Sequence, residues 1–159
     1  MKDLIPPPIS TDATVRRFEY ADLPVLDRMV RQIADHHGDV ARHTPTTLLR
    51  DVTGSAPLAK VLMSVVDDKP RGFAATMPAL QLHNGIRGVE IHLLWVDDGW
   101  RNRGLGRQLI ETVTTRARID GAHYVRVSAH RGNRRAQAYY ESLGFERTGE
   151  SGTNYMKRL

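Results

Sequence analysis

A glycine turn between an apolar run and an amphipathic stretch is the feature that most constrains the fold of this chain. Residues 86–96 read IRGVEIHLLWV, which predicts a strand, and Gly104 and Gly106 follow among arginines. Beyond the turn, apolar residues recur at the spacing of one helix face: Leu109, Ile110, Val113 and Ala117. The backbone N–H groups at the start of a helix have no partner within it, so this turn is suited to bind an anion.

The turn does not match the common fingerprints of phosphate-binding loops. A dinucleotide-binding turn needs a third glycine, but position 109 is Leu, and several residues separate Val96 from Gly104. The next predicted strand, HYVRVSA, ends without the acidic residue of that fold. A P-loop is excluded because no Gly-Lys-Ser/Thr follows, and the chain has no Gly-x-Ser-x-Gly elbow of a serine hydrolase. The turn by itself therefore leaves the anion open.

Composition limits the class of protein. The chain has 159 residues, 40% of them hydrophobic, which suits one domain at 14–159 behind a flexible tail at 1–13 that contains three prolines in a row. It has no cysteine and no apolar run long enough for a membrane span or a signal peptide, so we expect a soluble, cytoplasmic protein. The net charge of +5 fits nucleic acid and a polyanionic small ligand equally well.

The order of the predicted elements indicates an α/β layered domain on a mixed sheet. A strand at TVRRFEY is followed by a helix capped by Asp22 with Pro24 in its first turn. A second helix, three consecutive strands with Pro78 at a bulge or edge, a helix, a strand and a last helix follow. Two short strands around FERTGE and NYMKRL complete the chain.

Two motifs together resemble the GNAT superfamily of acyl-CoA-dependent N-acyltransferases. Residues 101–106, RNRGLG, match the family pattern Arg/Gln-x-x-Gly-x-Gly/Ala, and NRRAQAYYESLGF at residues 133–145 resembles the helix that follows it. The resemblance covers roughly residues 86–146. It implies a mixed, mostly antiparallel sheet of about six to seven strands flanked by about four helices, and acetyl-CoA as the co-substrate, without a metal.

The resemblance also implies which residues bind the cofactor. In the family, the strand before the turn binds the pantetheine arm through its backbone and the turn holds the pyrophosphate. Matched to this sequence, and with two residues of the last helix added, the cofactor-binding residues are Leu94, Trp95, Val96, Arg101, Asn102, Arg103, Gly104, Leu105, Gly106, Arg107, Asn133 and Arg135.

The family chemistry points to three catalytic candidates. An amine that attacks a thioester must lose a proton, and the departing thiolate needs an acid. The resemblance assigns the acid to Tyr140. For a water-mediated base it offers Glu90, placed like the glutamate of histone acetyltransferases, or His92, placed like the glutamate of diamine acetyltransferases. Strand alternation predicts that Glu90, His92 and Leu94 share one face.

The acceptor is a primary amine whose identity the sequence leaves open. The segment between the first two helices lines the acceptor pocket in the family, which makes Asp35, His36, His37 and Asp39 candidate acceptor contacts. A polyamine, an amino acid, an aminoglycoside-like amine and a protein N-terminus all remain candidates. The resemblance also allows a homodimer, and no nucleic acid or membrane partner is expected, because the arginines gather at the two motifs. The alternative function is a GNAT-like module that binds acyl-CoA without turnover.

Overall fold

The computed structural model describes residues 12–149 and 155–159. Five strands and four α-helices lie in these residues. The strands are β1 (Thr14–Arg17), β2 (Lys60–Val66), β3 (Lys69–Gln81), β4 (Ile86–Val96) and β5 (Tyr124–Val127). The helices are α1 (Leu23–His36), α2 (Pro45–Val52), α3 (Leu105–Ile119) and α4 (Arg134–Ser142).

The chain divides into two compact units, one ending at Ser128 and the other beginning at Ala129. The first unit holds the whole sheet with α1, α2 and α3, and the second holds α4. The predicted tail at residues 1–13 lies outside the described residues as far as position 11. Ala13 is buried in the first unit, where its carbonyl accepts a hydrogen bond from the Gln108 side chain at 3.0 Å.

The sheet is mixed and mostly antiparallel, as predicted. Its strand order is β1-β2-β3-β4-β5, with antiparallel pairing from β1 through β4 and a parallel pair between β4 and β5. Parallel neighbours need a crossover connection, and α3 supplies it.

The predicted strand count of six to seven is too high for the described residues, which contain five. The two expected C-terminal strands are not formed at 145–149 or at 155–159, while 150–154 lie outside the described residues. In FERTGE only Phe145 is even half-buried, and residues 146–149 are exposed. A strand is stabilised by one buried face, and this segment has no alternating apolar residues to form one.

Helices α1 and α3 cover opposite faces of the sheet. Val61, Met63 and Val65 of β2 pack in one cluster with Leu26, Met29 and Ile33 of α1, whereas the next residue, Val66, packs with Leu105 of α3. Adjacent residues of a strand point to opposite faces. The predicted core face of α3 is confirmed, since all four of its residues are buried: Leu109, Ile110, Val113 and Ala117.

The Asp22 side chain does not cap α1 as the sequence predicted. It is buried and instead accepts two hydrogen bonds from the Arg16 guanidinium, at 2.7 and 2.9 Å, and one from the Glu19 N–H at 2.8 Å. Burial acts to raise the pKa of Asp22, but the bonds from Arg16 and Glu19 outweigh it, so the pKa is lowered. The carboxylate therefore joins the end of β1 to the start of α1.

Pro78 was predicted to mark a bulge or an edge strand, but it lies within β3, an interior strand, and neither irregularity in the pairing of β3 falls at Pro78. Pairing with β2 ends at Lys60 and Thr76, so the proline lies beyond the reach of that neighbour. On its other side it is opposite Val89 of β4. A missing N–H is tolerated in an interior strand where the neighbour on that side has ended.

Candidate functional site

Strand β4 changes its pairing at His92. On the β3 side, Thr76 lies opposite Ile91 and the preceding residue, Ala75, lies opposite Leu93, so His92 is an extra residue in a β-bulge. On the β5 side, pairing ends at Ile91 and Val127. Within the described part of the chain, residues 92–96 are therefore paired with β3 alone. Apart from the Val96 carbonyl, which accepts a hydrogen bond from Arg101, their backbone groups that face away from β3 remain available to a ligand.

The bulge corrects the expectation that Glu90, His92 and Leu94 share one face. Glu90 lies opposite Met77, and Leu94 lies opposite Ala74. Since Met77 and Ala74 are three residues apart in β3, they point to opposite faces of the sheet. Glu90 and Leu94 do so as well, and Glu90 is on the face covered by α1, to which Ala75 also belongs.

The two candidate bases differ in their partners. Glu90 is opposite Arg126 of β5, whose Nε donates to Glu90 Oε2 at 2.7 Å and whose Nη2 forms an ion pair with the same oxygen. His92 is exposed, and its imidazole has no hydrogen-bond partner among the described residues. Glu90 is thus held in a cross-strand ion pair, while His92 is free to meet solvent or a ligand.

The glycine turn presents backbone N–H groups at the start of α3. Gly104, the residue before the helix, has a φ of 82°, in the left-handed region that glycine adopts at little cost. The Gln108 N–H donates to the Gly104 carbonyl at 2.9 Å, which is the first bond of the helix. The N–H groups at 105–107 lie ahead of that bond and have no acceptor within the helix.

The side chains of the turn have different environments. Leu105 is buried, so only its backbone is available to a ligand. Arg107 is half-exposed and its Nε donates to Glu111 at 2.7 Å, one turn along α3. Asn102 is exposed with a φ of 60°, and Arg103 is also exposed. Arg101 donates from Nε to the Val96 carbonyl at 2.9 Å, which fixes the start of the turn to the end of β4.

Trp95 connects the glycine turn to the end of α1. Its side chain is buried in the α1-side cluster, where the His36 ring contacts it edge-on at 6.0 Å between ring centres. The Arg101 guanidinium carbon lies 4.5 Å from the centre of the indole. The indole Nε1 is 3.3 Å from Asp97 Oδ1, and Asp97 also accepts two hydrogen bonds from Arg28 of α1 at 2.9 and 3.0 Å. One candidate acceptor residue and one candidate cofactor residue therefore meet at the same indole.

The other candidate acceptor residues, Asp35, His37 and Asp39, are exposed at the end of α1. The segment after them is held to α1 through Asp27, which accepts hydrogen bonds from Arg31 at 3.1 Å and lies 2.9 Å from His43 Nε2. The Arg31 bonds lower the pKa of Asp27. Within the described part of the chain, no group of three or more His, Asp or Glu side chains is placed to hold a metal ion.

In the second unit, α4 carries Tyr140 half-buried between two aromatic rings. The ring centres of Tyr139 and Phe145 are 5.7 and 5.8 Å from that of Tyr140. Burial raises the pKa of the Tyr140 phenol. Asn133 begins the helix as its cap, accepting the Ala136 N–H at 3.0 Å, and Arg135 is exposed.

Sequence reasoning missed four residues near the predicted site: Arg28, Arg71, Asp97 and Arg126. Asp97 directly follows the apolar run and could have been noticed as an acid at the end of a strand. The arginines carried no local signal, because each reaches the site from another element. In the residues that the structure describes, no helix is long and apolar enough to cross a membrane.

The comparisons with known proteins agree on one protein family. Residues 27–145 match the Acetyltransferase (GNAT) family. Two L-methionine sulfoximine/L-methionine sulfone acetyltransferases, from Pseudomonas paraeruginosa and Pseudomonas aeruginosa, are each 36% identical to the chain over 66 residues. These matches cover 42% of this chain and 38% of the length of each relative.

One solved structure has a similar fold over nearly the whole length of both chains. It is an aminoglycoside acetyltransferase from an uncultured soil metagenomic sample, in complex with trehalose, and it superposes with a TM-score of 0.77 at 18% identity. The match covers 94% of this chain and 99% of that one. At this identity, the likeness concerns the fold.

Proposed function

We propose that this chain, which belongs to the Acetyltransferase (GNAT) family, moves an acetyl group from acetyl-CoA to a primary amine of a small molecule. The observation that carries the proposal is the change of pairing along β4. The half of the strand without a β5 partner runs into a turn with three free N–H groups and nearby guanidinium groups. Backbone groups for an amide-bearing arm, followed by donors for phosphate oxygens, fit the parts of coenzyme A in order.

Each step of the transfer has a group in this chain suited to it. Acetyl-CoA supplies the acetyl group as a thioester, and the reaction forms a C–N bond while the C–S bond breaks. Successive N–H groups of a strand point to alternate sides, and those of residues 94–96 that face away from β3 are available for the negative charge that develops on the carbonyl oxygen. We assign Tyr140 as the acid that gives its proton to the departing sulfur.

For the base we favour His92 over Glu90. A base must accept a proton from the amine, directly or through one water, and therefore needs a free lone pair toward solvent. His92 is exposed at the bulge without a partner among the described residues, whereas Arg126 engages Glu90. In this proposal Glu90 and Arg126 fix the strand beside the base.

The raised pKa of Tyr140 agrees with its role as an acid. Burial disfavours the phenolate and raises the pKa of the Tyr140 phenol above the ordinary value for tyrosine, so the phenol remains protonated at neutral and mildly alkaline pH. Any loss of turnover caused by ionisation of Tyr140 is therefore expected above pH 10, and a pH–rate profile of the wild type checks this. An alkaline fall near pH 8 that persists in Tyr140→Phe would belong to another group.

Replacing Tyr140 by Phe tests the acid. We expect kcat to fall by about 10²-fold, the usual scale for one general acid, with the Kd of acetyl-CoA nearly unchanged. Tyr139→Phe is the matched control, because it removes the neighbouring phenol on the same helix, and we expect it to change kcat less than about threefold. Equal kcat values for the two variants would exclude Tyr140 as the acid.

A panel of amines tests the reaction itself. Release of the free CoA thiol would be measured with amino acids including methionine sulfoximine, aminoglycosides, polyamines and a peptide with a free N-terminus. The relatives direct attention to the first two classes, since their names specify L-methionine sulfoximine and aminoglycosides. Thiol release that depends on a small amine supports the proposal. Tight binding of acetyl-CoA with no release for any amine would favour the module without turnover.

A further inference from the structure

Two arginine side chains lie against one indole beside the glycine turn. The guanidinium carbons of Arg71 and Arg103 are each 4.7 Å from the centre of the Trp100 ring, so they cannot be farther apart than twice that distance. Trp100 packs against a cluster that includes Leu105, the first residue of α3. We call Arg71 and Arg103 the Trp100 arginine pair. It is adjacent to the free N–H groups of the helix.

Among the described residues, no acidic side chain neutralises the charge of either member of the pair. Across residues 12–149 and 155–159, no acidic side chain forms an ion pair with Arg71 or Arg103. Arg71 Nε is buried without a hydrogen-bond partner, but the two outer nitrogens are not among the buried atoms. The outer nitrogens of Arg71 are therefore not fully buried, and Arg103 is exposed, so a ligand can reach the pair.

A β-bulge determines where Arg71 is located. Ser64 of β2 lies opposite Gly72 and the next residue, Val65, lies opposite Pro70, so Arg71 is the extra residue. Its carbonyl accepts the Asp97 N–H at 2.9 Å. Asp97 is the first residue after β4 and begins the connection to the glycine turn, so this bond joins the bulge to the start of that connection.

Packing alone does not account for two cations on the same ring. One guanidinium gains the cation–π contact, and a second adds repulsion between like charges at short range. An anion between them converts that repulsion into two attractions. The forked N–H groups of guanidinium match the oxygens of phosphate, and charge-assisted bonds of this kind are among the strongest in proteins.

We propose that the Trp100 arginine pair clamps a phosphate group of acyl-CoA, with Arg71 as a cofactor-binding residue outside the glycine motif. The inference rests on the proposed function, because it takes acyl-CoA as the ligand. Coenzyme A offers this chemistry from two sources, the diphosphate and the ribose 3′-phosphate. Either would place two or more phosphate oxygens within reach of both arginines.

Calorimetric titration of acetyl-CoA tests the pair. We expect Arg71→Gln and Arg103→Gln each to raise Kd about tenfold, the effect of losing one charge-assisted contact. The matched control is Arg118→Gln, which removes the same charge from an exposed position one residue before the end of α3. It should change Kd less than about twofold, because an exposed charge beyond a Debye length is screened. Arg71→Lys keeps the charge without the fork and is expected to give an intermediate Kd.

Titration of 3′-dephospho-acetyl-CoA separates the two phosphates. If Arg71→Gln raises Kd equally for both ligands, the pair binds the diphosphate, and if only acetyl-CoA is affected, it binds the 3′-phosphate. An unchanged Kd for both ligands in Arg71→Lys and Arg103→Gln overturns the inference, even if Arg71→Gln fails to fold. Failure of the wild type to bind acetyl-CoA would contradict the proposed function instead.

Discussion

The two halves of β4 use the same kind of backbone for different purposes. From Gly88 to Ile91 the strand pairs with β3 on one side and β5 on the other, and Tyr124 of β5 packs against Gly88. From Leu93 to Val96 it pairs only with β3 among the described residues. Backbone groups that are already paired stabilise the sheet, whereas those left unpaired can bind a ligand. The difference predicts that substitutions in the first half reduce stability and that those in the second half reduce cofactor binding.

The most direct test of the boundary between the two halves of β4 is substitution of His92, the bulged residue that separates them. We expect His92→Gln to lower kcat about 10²-fold, or about 2.7 kcal/mol of activation free energy, because it removes the proposed base. Glu90→Gln, in the doubly paired half, should lower kcat less than about threefold, since it removes only an exposed ion pair with Arg126. Steady-state kinetics at saturating acetyl-CoA measure both. A larger loss for Glu90→Gln would exchange the two roles.

Gly88→Ala tests the structural half. A Cβ at Gly88 would overlap the ring of Tyr124, so the ring must move, and we expect a loss of about 2 kcal/mol in the free energy of unfolding. Gly99→Ala is the control, because a Cβ at that position meets no atom within 4 Å. Urea denaturation followed by circular dichroism gives both values.

The interpretation of Gly88→Ala can be checked in a second background. In Tyr124→Ala the ring is absent, so adding Gly88→Ala should cost less than about 0.5 kcal/mol. A cost that stays the same in both backgrounds would mean that the glycine is needed for its backbone and not for the ring.

The sequence predicted those parts of the fold that local pattern determines. The spacing of apolar residues in α3 reports which face is buried, and Leu109 and Val113 are buried as predicted. The motif residues 101–106 likewise mark the start of α3, because glycine at 104 is what a positive φ requires.

Pairing between distant segments could not be predicted in the same way. Glu90, His92 and Leu94 alternate in the sequence, but the bulge that separates their faces arises from the register with β3. Arg28 and Asp97 are 69 residues apart, and no local pattern connects them. The excess of predicted strands has a related cause, since a short polar segment becomes a strand only where a neighbour pairs with it.

The smallest predicted effect is that of replacing Asp97, which immediately follows the second half of β4. This substitution tests whether the Asp97 carboxylate positions that half of the strand or contributes only its negative charge. Asp97→Asn weakens the bonds to Arg28 and the hydrogen bond from Trp95, so we expect the Kd of acetyl-CoA to rise about fivefold, or about 1 kcal/mol. Simple electrostatics predicts the opposite sign, because removing a negative charge favours a polyanionic ligand. Asp98→Asn isolates that effect, since Asp98 is 86% exposed and forms only a surface pair with Arg101, and its Kd should be unchanged or lower. If both variants bind more tightly, the carboxylate of Asp97 contributes charge alone, and the second half of β4 does not depend on it for its position.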